Sequence, residues 1–134
     1  MELDHIGIAV KSIERTRAFY ETGLGLPSAP HAEEVAGERV RVLKLQASEG
    51  VTIELIEPTS EDSAVAKFIE RKGEGLHHLC YRVEDIAAAQ AKLESEGYRP
   101  IWEKPRPGAD GCTVNFYHPK DVFGVLTELS QPPN

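Results

Sequence analysis

Only two cysteines occur among the 134 residues, Cys80 and Cys112, and they form no spacing motif. A disulfide framework and a cysteine-rich zinc site are therefore excluded. Cys80 lies in an apolar, strand-like run, where a buried and reduced thiol is expected. Positive charge is also scarce: 15 Lys and Arg face 22 Asp and Glu, a net charge of −7. That balance argues against nucleic acid or an anionic membrane as a partner, and any anionic substrate needs local cations working against the overall field. No apolar run approaches the roughly 20 residues of a membrane helix, and no stretch reads as a signal peptide, so a cytoplasmic location is expected.

What is present is one pattern written twice. Leu3 to Val10 reads LDHIGIAV and Leu76 to Val83 reads LHHLCYRV; Val51 to Leu55 reads VTIEL and Val125 to Leu129 reads VLTEL. Superposing the first pair sets His5 on His78, 73 residues apart, and superposing the second sets Glu54 on Glu128, 74 apart. The length suits one domain, and halves of about 60 residues are too small to be comfortable alone, so they are expected to share a core.

The chain predicts a strand over 3–10, with Ile6, Ile8 and Val10 on one face and His5, Gly7 and Ala9 on the other. Ser12 caps an expected helix over 13–21. A charged loop with Glu33, Glu34 and Glu38 leads to a strand from Val40 to about Leu45 and a second over 51–57. Residues 59–75 match neither copy and form a connector, with a short helix capped by Asp62 or Ser63. The second copy opens with a strand over 76–83, then a helix from Asp85 to about Glu96, a strand over 98–103, and strands near 112–118 and 124–130. The expected architecture is α+β: two tandem βαβββ modules, about 1–58 and 76–131, joined by the connector into a curved, cup-like mixed sheet within a single domain.

Strand parity defines the candidate site. His5 shares its face with Gly7 and Ala9, and His78 shares its face with Cys80 and Arg82. His77 falls on the other side with Leu79 and Tyr81, and is read as a structural neighbour. Glu54 lies opposite Ile53 and Leu55, and Glu128 opposite Thr127 and Leu129. If the apolar faces pack under the helices, both His and both Glu line the concave side. Two imidazoles and two carboxylates leave two positions of an octahedral ion open and suit Co²⁺, Mn²⁺, Ni²⁺, Fe²⁺ or Zn²⁺. An ion with two open positions can chelate two oxygens and stabilise an enolate formed by proton loss beside a carbonyl.

With those motifs in view, the chain resembles the vicinal oxygen chelate superfamily, which includes glyoxalase I. The segments EDSAVAKFIERKGEGLHHLCYRVEDI, KPRPGADGCTVNFYHPKD and FGVLTELSQ resemble the methylmalonyl-CoA epimerase family within it. The resemblance implies a divalent ion, Co²⁺ foremost with Mn²⁺, Ni²⁺ or Zn²⁺ as alternatives, held by His5, Glu54, His78 and Glu128. It implies epimerisation at carbon 2 of methylmalonyl-CoA through a metal-stabilised enolate, with Glu128 as one acid/base, an acyl-CoA as the small-molecule partner, and a homodimer. Certain bacterial relatives carry a further Glu in the strand around 39–45, where this chain offers Val42, so no second base is carried over. Of Arg39, Arg41, Arg71, Lys72, Lys104, Arg106 and Lys120, none is assigned to the CoA phosphates. The alternatives are a glyoxalase I-type isomerase of glutathione hemithioacetals and a metal-free small-molecule-binding module of the same fold.

Overall fold

The computed structural model describes residues 1–134. The order of elements is β1 (Glu2–Ala9), α1 (Ile13–Ala18), β2 (Glu33–Val35), β3 (Val40–Ser48), β4 (Val51–Pro58), α2 (Ala64–Lys72), β5 (Gly75–Arg82), α3 (Ile86–Ser95), β6 (Arg106–Pro107), β7 (Thr113–Tyr117) and β8 (Leu126–Gln131). Strand, helix and three strands thus occur twice, the α+β pattern expected from the duplication. The chain divides into two compact units, His5–His77 and Met1–Asp4 with His78–Asn134.

Within the first unit the strand order is β2-β3-β4-β1, with β1 parallel to β4 and the other pairs antiparallel. The parallel pair follows from the helical crossover that a strand returning beside β1 requires. Ladder rows run straight across three strands: Ile8, Leu55 and Leu43 on one face, then Gly7, Glu54 and Lys44 on the other. The first face packs with Val10, Ile13 and Leu45 into a core joined by Tyr20. Ser12 begins α1 as expected, its hydroxyl accepting from the Arg15 N–H at 3.2 Å, and the helix widens into a π turn at Phe19–Gly23.

The second face is less open than the small side chains of β1 suggest. Ala9 is fully buried in a second cluster with Val40, Ile56 and Val65, with Val42, Phe68 and Ile69 around it. Helix α2, started by the Ser63 hydroxyl accepting from Ala66 N–H at 2.9 Å, covers that end of the face. Beyond that cover, nearer His5, the same face carries Glu54 and Lys44.

The second unit repeats the plan in the order β5-β8-β7-β6, with β5 parallel to β8. Tyr117 and Leu129 pack with Val83 and Ile86, and Ala89 and Leu93 of α3 close over them. Asp85 caps α3 through the Ala88 N–H at 3.0 Å. Two elements differ from the sequence reading. Residues 33–35, expected in a loop, pair with Val40–Val42 as a short edge strand. Residues 98–103, expected as a strand, form none, and the edge strand is instead Arg106–Pro107. The cause is the side chain of Asn115, fully buried, which accepts from Trp102 N–H and donates to Trp102 carbonyl, replacing ladder bonds with side-chain ones.

Candidate metal and acid/base site

The registers of the two units show how far the duplication is preserved. In the first, His5 is paired with Thr52 and Gly7 with Glu54. In the second, His78 is paired with Leu126 and Cys80 with Glu128. Each carboxylate is therefore one ladder step diagonal to its imidazole, on the same face of its sheet. Two side chains in that relation are within reach of each other.

The distances follow from this geometry. His5 Nδ1 lies 3.4 Å from Glu54 Oε2, and His78 Nε2 lies 3.5 Å from Glu128 Oε1. Both separations exceed the about 2.7–3.2 Å of a good hydrogen bond. Two donors each about 2.1 Å from one ion, about 90–110° apart, lie about 3.0–3.5 Å from each other. The donors in each unit are therefore spaced as neighbouring ligands would be. Their side chains are 9–16% exposed, sheltered enough to strengthen electrostatic contacts while leaving an opening for a ligand. Nitrogen and carboxylate oxygen together suit a borderline or hard divalent ion.

The residues around each pair differ. Lys44 is paired with Glu54 across the β3–β4 ladder, whereas Phe116 occupies the corresponding place beside Glu128 on β7. Cys80, fully buried and in no disulfide, replaces Gly7. Arg82, next along the same face, donates to Glu2 and to Asp4 at 2.6 Å each, and those hydrogen bonds raise its already high pKa. His77 turns away from His78, as parity requires, and meets the Phe68 ring edge-on at 4.9 Å. Burial lowers its pKa, favouring a neutral ring.

Sequence reasoning did not find the cluster on β6 and β7. The Arg106 guanidinium lies 4.4 Å from the centre of the Trp102 ring, which meets Phe116 edge-on at 5.5 Å. The signal available was an Arg four residues after the chain's one Trp, with Pro105 between them, and spacing alone does not specify stacking.

The chain is similar to known proteins along nearly its whole length. Residues 4–116 match the model of the Glyoxalase/Bleomycin resistance protein/Dioxygenase superfamily. The ethylmalonyl-CoA/methylmalonyl-CoA epimerase of Cereibacter sphaeroides is 41% identical over 132 residues, covering 96% of each chain. The human mitochondrial methylmalonyl-CoA epimerase is 39% identical over 136 residues, covering 96% of this chain and 73% of that protein. Among solved structures, a single-residue variant of Streptomyces coelicolor methylmalonyl-CoA epimerase in complex with 2-nitronate-propionyl-CoA superposes with a TM-score of 0.87 at 37% identity, covering 100% of this chain and 99% of that one.

Proposed function

We propose that this chain, which belongs to the Glyoxalase/Bleomycin resistance protein/Dioxygenase superfamily, interconverts the two configurations of methylmalonyl-CoA at carbon 2. The observation carrying this reading is the repeated His/Glu pair at matching ladder positions in both units, in a chain alike over its full length to epimerases acting on such acyl-CoA esters.

His5, Glu54, His78 and Glu128 are the residues that would hold one divalent ion, and Co²⁺, Mn²⁺, Ni²⁺ and Zn²⁺ all accept this donor set. When bound, the ion supplies Lewis acidity that stabilises negative charge on the thioester oxygen as carbon 2 loses its proton. The chain's own part is to orient and to move the proton. The Glu128 carboxylate takes the proton from carbon 2 through the oxygen that is not spaced against His78 as a ligand, and its sheltered position keeps bulk water from competing for it. His78 fixes that carboxylate by its proximity, and Phe116 walls the side facing β7. Val42 sits in the apolar cluster around Ile56 and can carry no proton, so the opposite face of carbon 2 is served by another group, such as a water or a loop carboxylate. A cytoplasmic homodimer is part of the same reading; exposed Phe19 and Leu24 are apolar surface that a second copy would cover.

The test uses one methylmalonyl-CoA epimer in deuterated water with metal-loaded protein. Epimer interconversion with deuterium at carbon 2 is expected. Neither interconversion nor exchange, together with formation of lactoylglutathione from the hemithioacetal, would replace this reading by the glyoxalase one.

A further inference from the structure

We infer that Arg106, seated on Trp102, is an anion receptor that grips a carboxylate or phosphate of the acyl-CoA beside the proton-transfer site; this rests on the function proposed above. The sheet register sets the direction. Arg106 is paired with Val114, Val114 with Ser130, and Phe116 with Glu128, so Arg106 belongs to the face that carries Glu128. Strands about 4.8 Å apart with a rise of about 3.3 Å per residue put the two backbones roughly 12 Å apart. An acyl-CoA whose acyl end lies at Glu128 covers that distance.

The guanidinium is held for the purpose by a chain of contacts. Gln90 accepts from the Asn115 amide at 2.8 Å, and that amide also donates to Trp102 carbonyl at 2.9 Å. Phe116 braces the indole ring from the side, and the indole carries Arg106 on its face. The loop that follows lies directly on the sheet: a Cβ on Gly108 would come within 2.7 Å of Val114 Cγ1. A guanidinium held over an indole face loses conformational freedom while its N–H donors stay available to two oxygens of an anion.

Charge pairing separates Arg106 from the other arginines fixed by contacts. Arg17 is held by Glu21, Arg39 by Asp62, Arg41 by Glu57, and Arg82 by Glu2 and Asp4. Arg106 is exposed and has an aromatic ring but no carboxylate against it. In a chain of net charge −7, an ordered cation without an acidic partner is where a substrate anion gains most.

Calorimetric titration with malonyl-CoA and with malonyl-pantetheine, which keeps the carboxylate but lacks the nucleotide phosphates, tests the inference on the wild-type protein, Arg106→Met and Trp102→Leu. For malonyl-CoA, Arg106→Met is expected to raise Kd about tenfold or more, with Tm unchanged, and Trp102→Leu to raise it in the same direction. Arg106→Lys should recover only part of the loss. A penalty that persists with malonyl-pantetheine identifies the carboxylate as the anion; one that disappears identifies the phosphates. Equal Kd for wild type and Arg106→Met with malonyl-CoA, or no binding by either, overturns the inference. Wild-type protein that binds malonyl-CoA yet does not epimerise methylmalonyl-CoA defeats the functional reading alone, because the Arg106 effect is read from Kd.

Discussion

Glu128 stands directly across the parallel β5–β8 ladder from Cys80, two places after His78, as Glu54 stands across β1–β4 from Gly7, two places after His5. A one-residue slip of either strand would turn its donor to the opposite face. The relation puts His78, and not its neighbour, on the face of Glu128, and so makes His78 the proposed ligand. His78→Ala is expected to lower metal affinity by about a hundredfold or more, beyond the about 10–100-fold typical of an outer-shell loss, and to abolish turnover. His77→Ala keeps the metal and loses the ring contact with Phe68, which alone contributes about 0.5–1.5 kcal/mol of stability. Metal content after gel filtration, with urea unfolding, separates the two variants. Equal metal loss in both would show the strand parity to be misassigned.

Glu128→Gln keeps an oxygen toward His78 but no longer accepts a proton. Its kcat should fall about 10²–10⁴-fold while metal stays bound, as measured by deuterium exchange at carbon 2 and metal analysis. Near-normal exchange would remove Glu128 from the proton-transfer role.

These two predictions were within reach of the sequence because a strand's period of two is visible in single residues: Ile6 and Ile8 against His5 and Gly7, Thr127 and Leu129 against Glu128. Local capping was legible too, since Ser12, Ser63 and Asp85 act through the N–H groups three residues on. The failures share a different cause. At 98–103 the backbone bonds to the Asn115 side chain, a contact made 13 residues away that no local pattern encodes. Glu33–Val35 is a strand only because Val40–Val42 offers it an edge. Arg106 became distinctive only when its ring partner and its lack of an acidic partner were seen together.

Acid should expose a second device, built around Glu21. Arg17 hydrogen bonds, then the Ser28 hydroxyl, hold the Glu21 carboxyl down to about 2 from an ordinary 4.5. A carboxyl with a lowered folded-state pKa adds stability that is present above the unfolded value and lost as pH falls through the folded one. The Tm advantage of wild type over Glu21→Gln should be constant above about pH 5 and shrink between 4.5 and 2. An advantage unchanged across that window would show that the pair is not retained on folding.

Phe123 adopts a left-handed backbone with φ 68° while its side chain is 89% exposed. A bulky residue there carries strain with no packing in return, and Asn tolerates the conformation better. Phe123→Asn is expected to raise stability by about 0.5–1 kcal/mol in urea unfolding. If it destabilises instead, the ring is covered in solution, as a homodimer would require, and sedimentation would show the change in mass.

The most direct test of the account is the stoichiometry of Co²⁺ binding to the wild type, His5→Ala and His78→Ala. One ion gripped by both pairs predicts one equivalent per wild-type chain, and loss of that whole equivalent in each single variant. Two equivalents in the wild type, or full retention in either variant, would contradict a shared ion and with it the proposed chemistry.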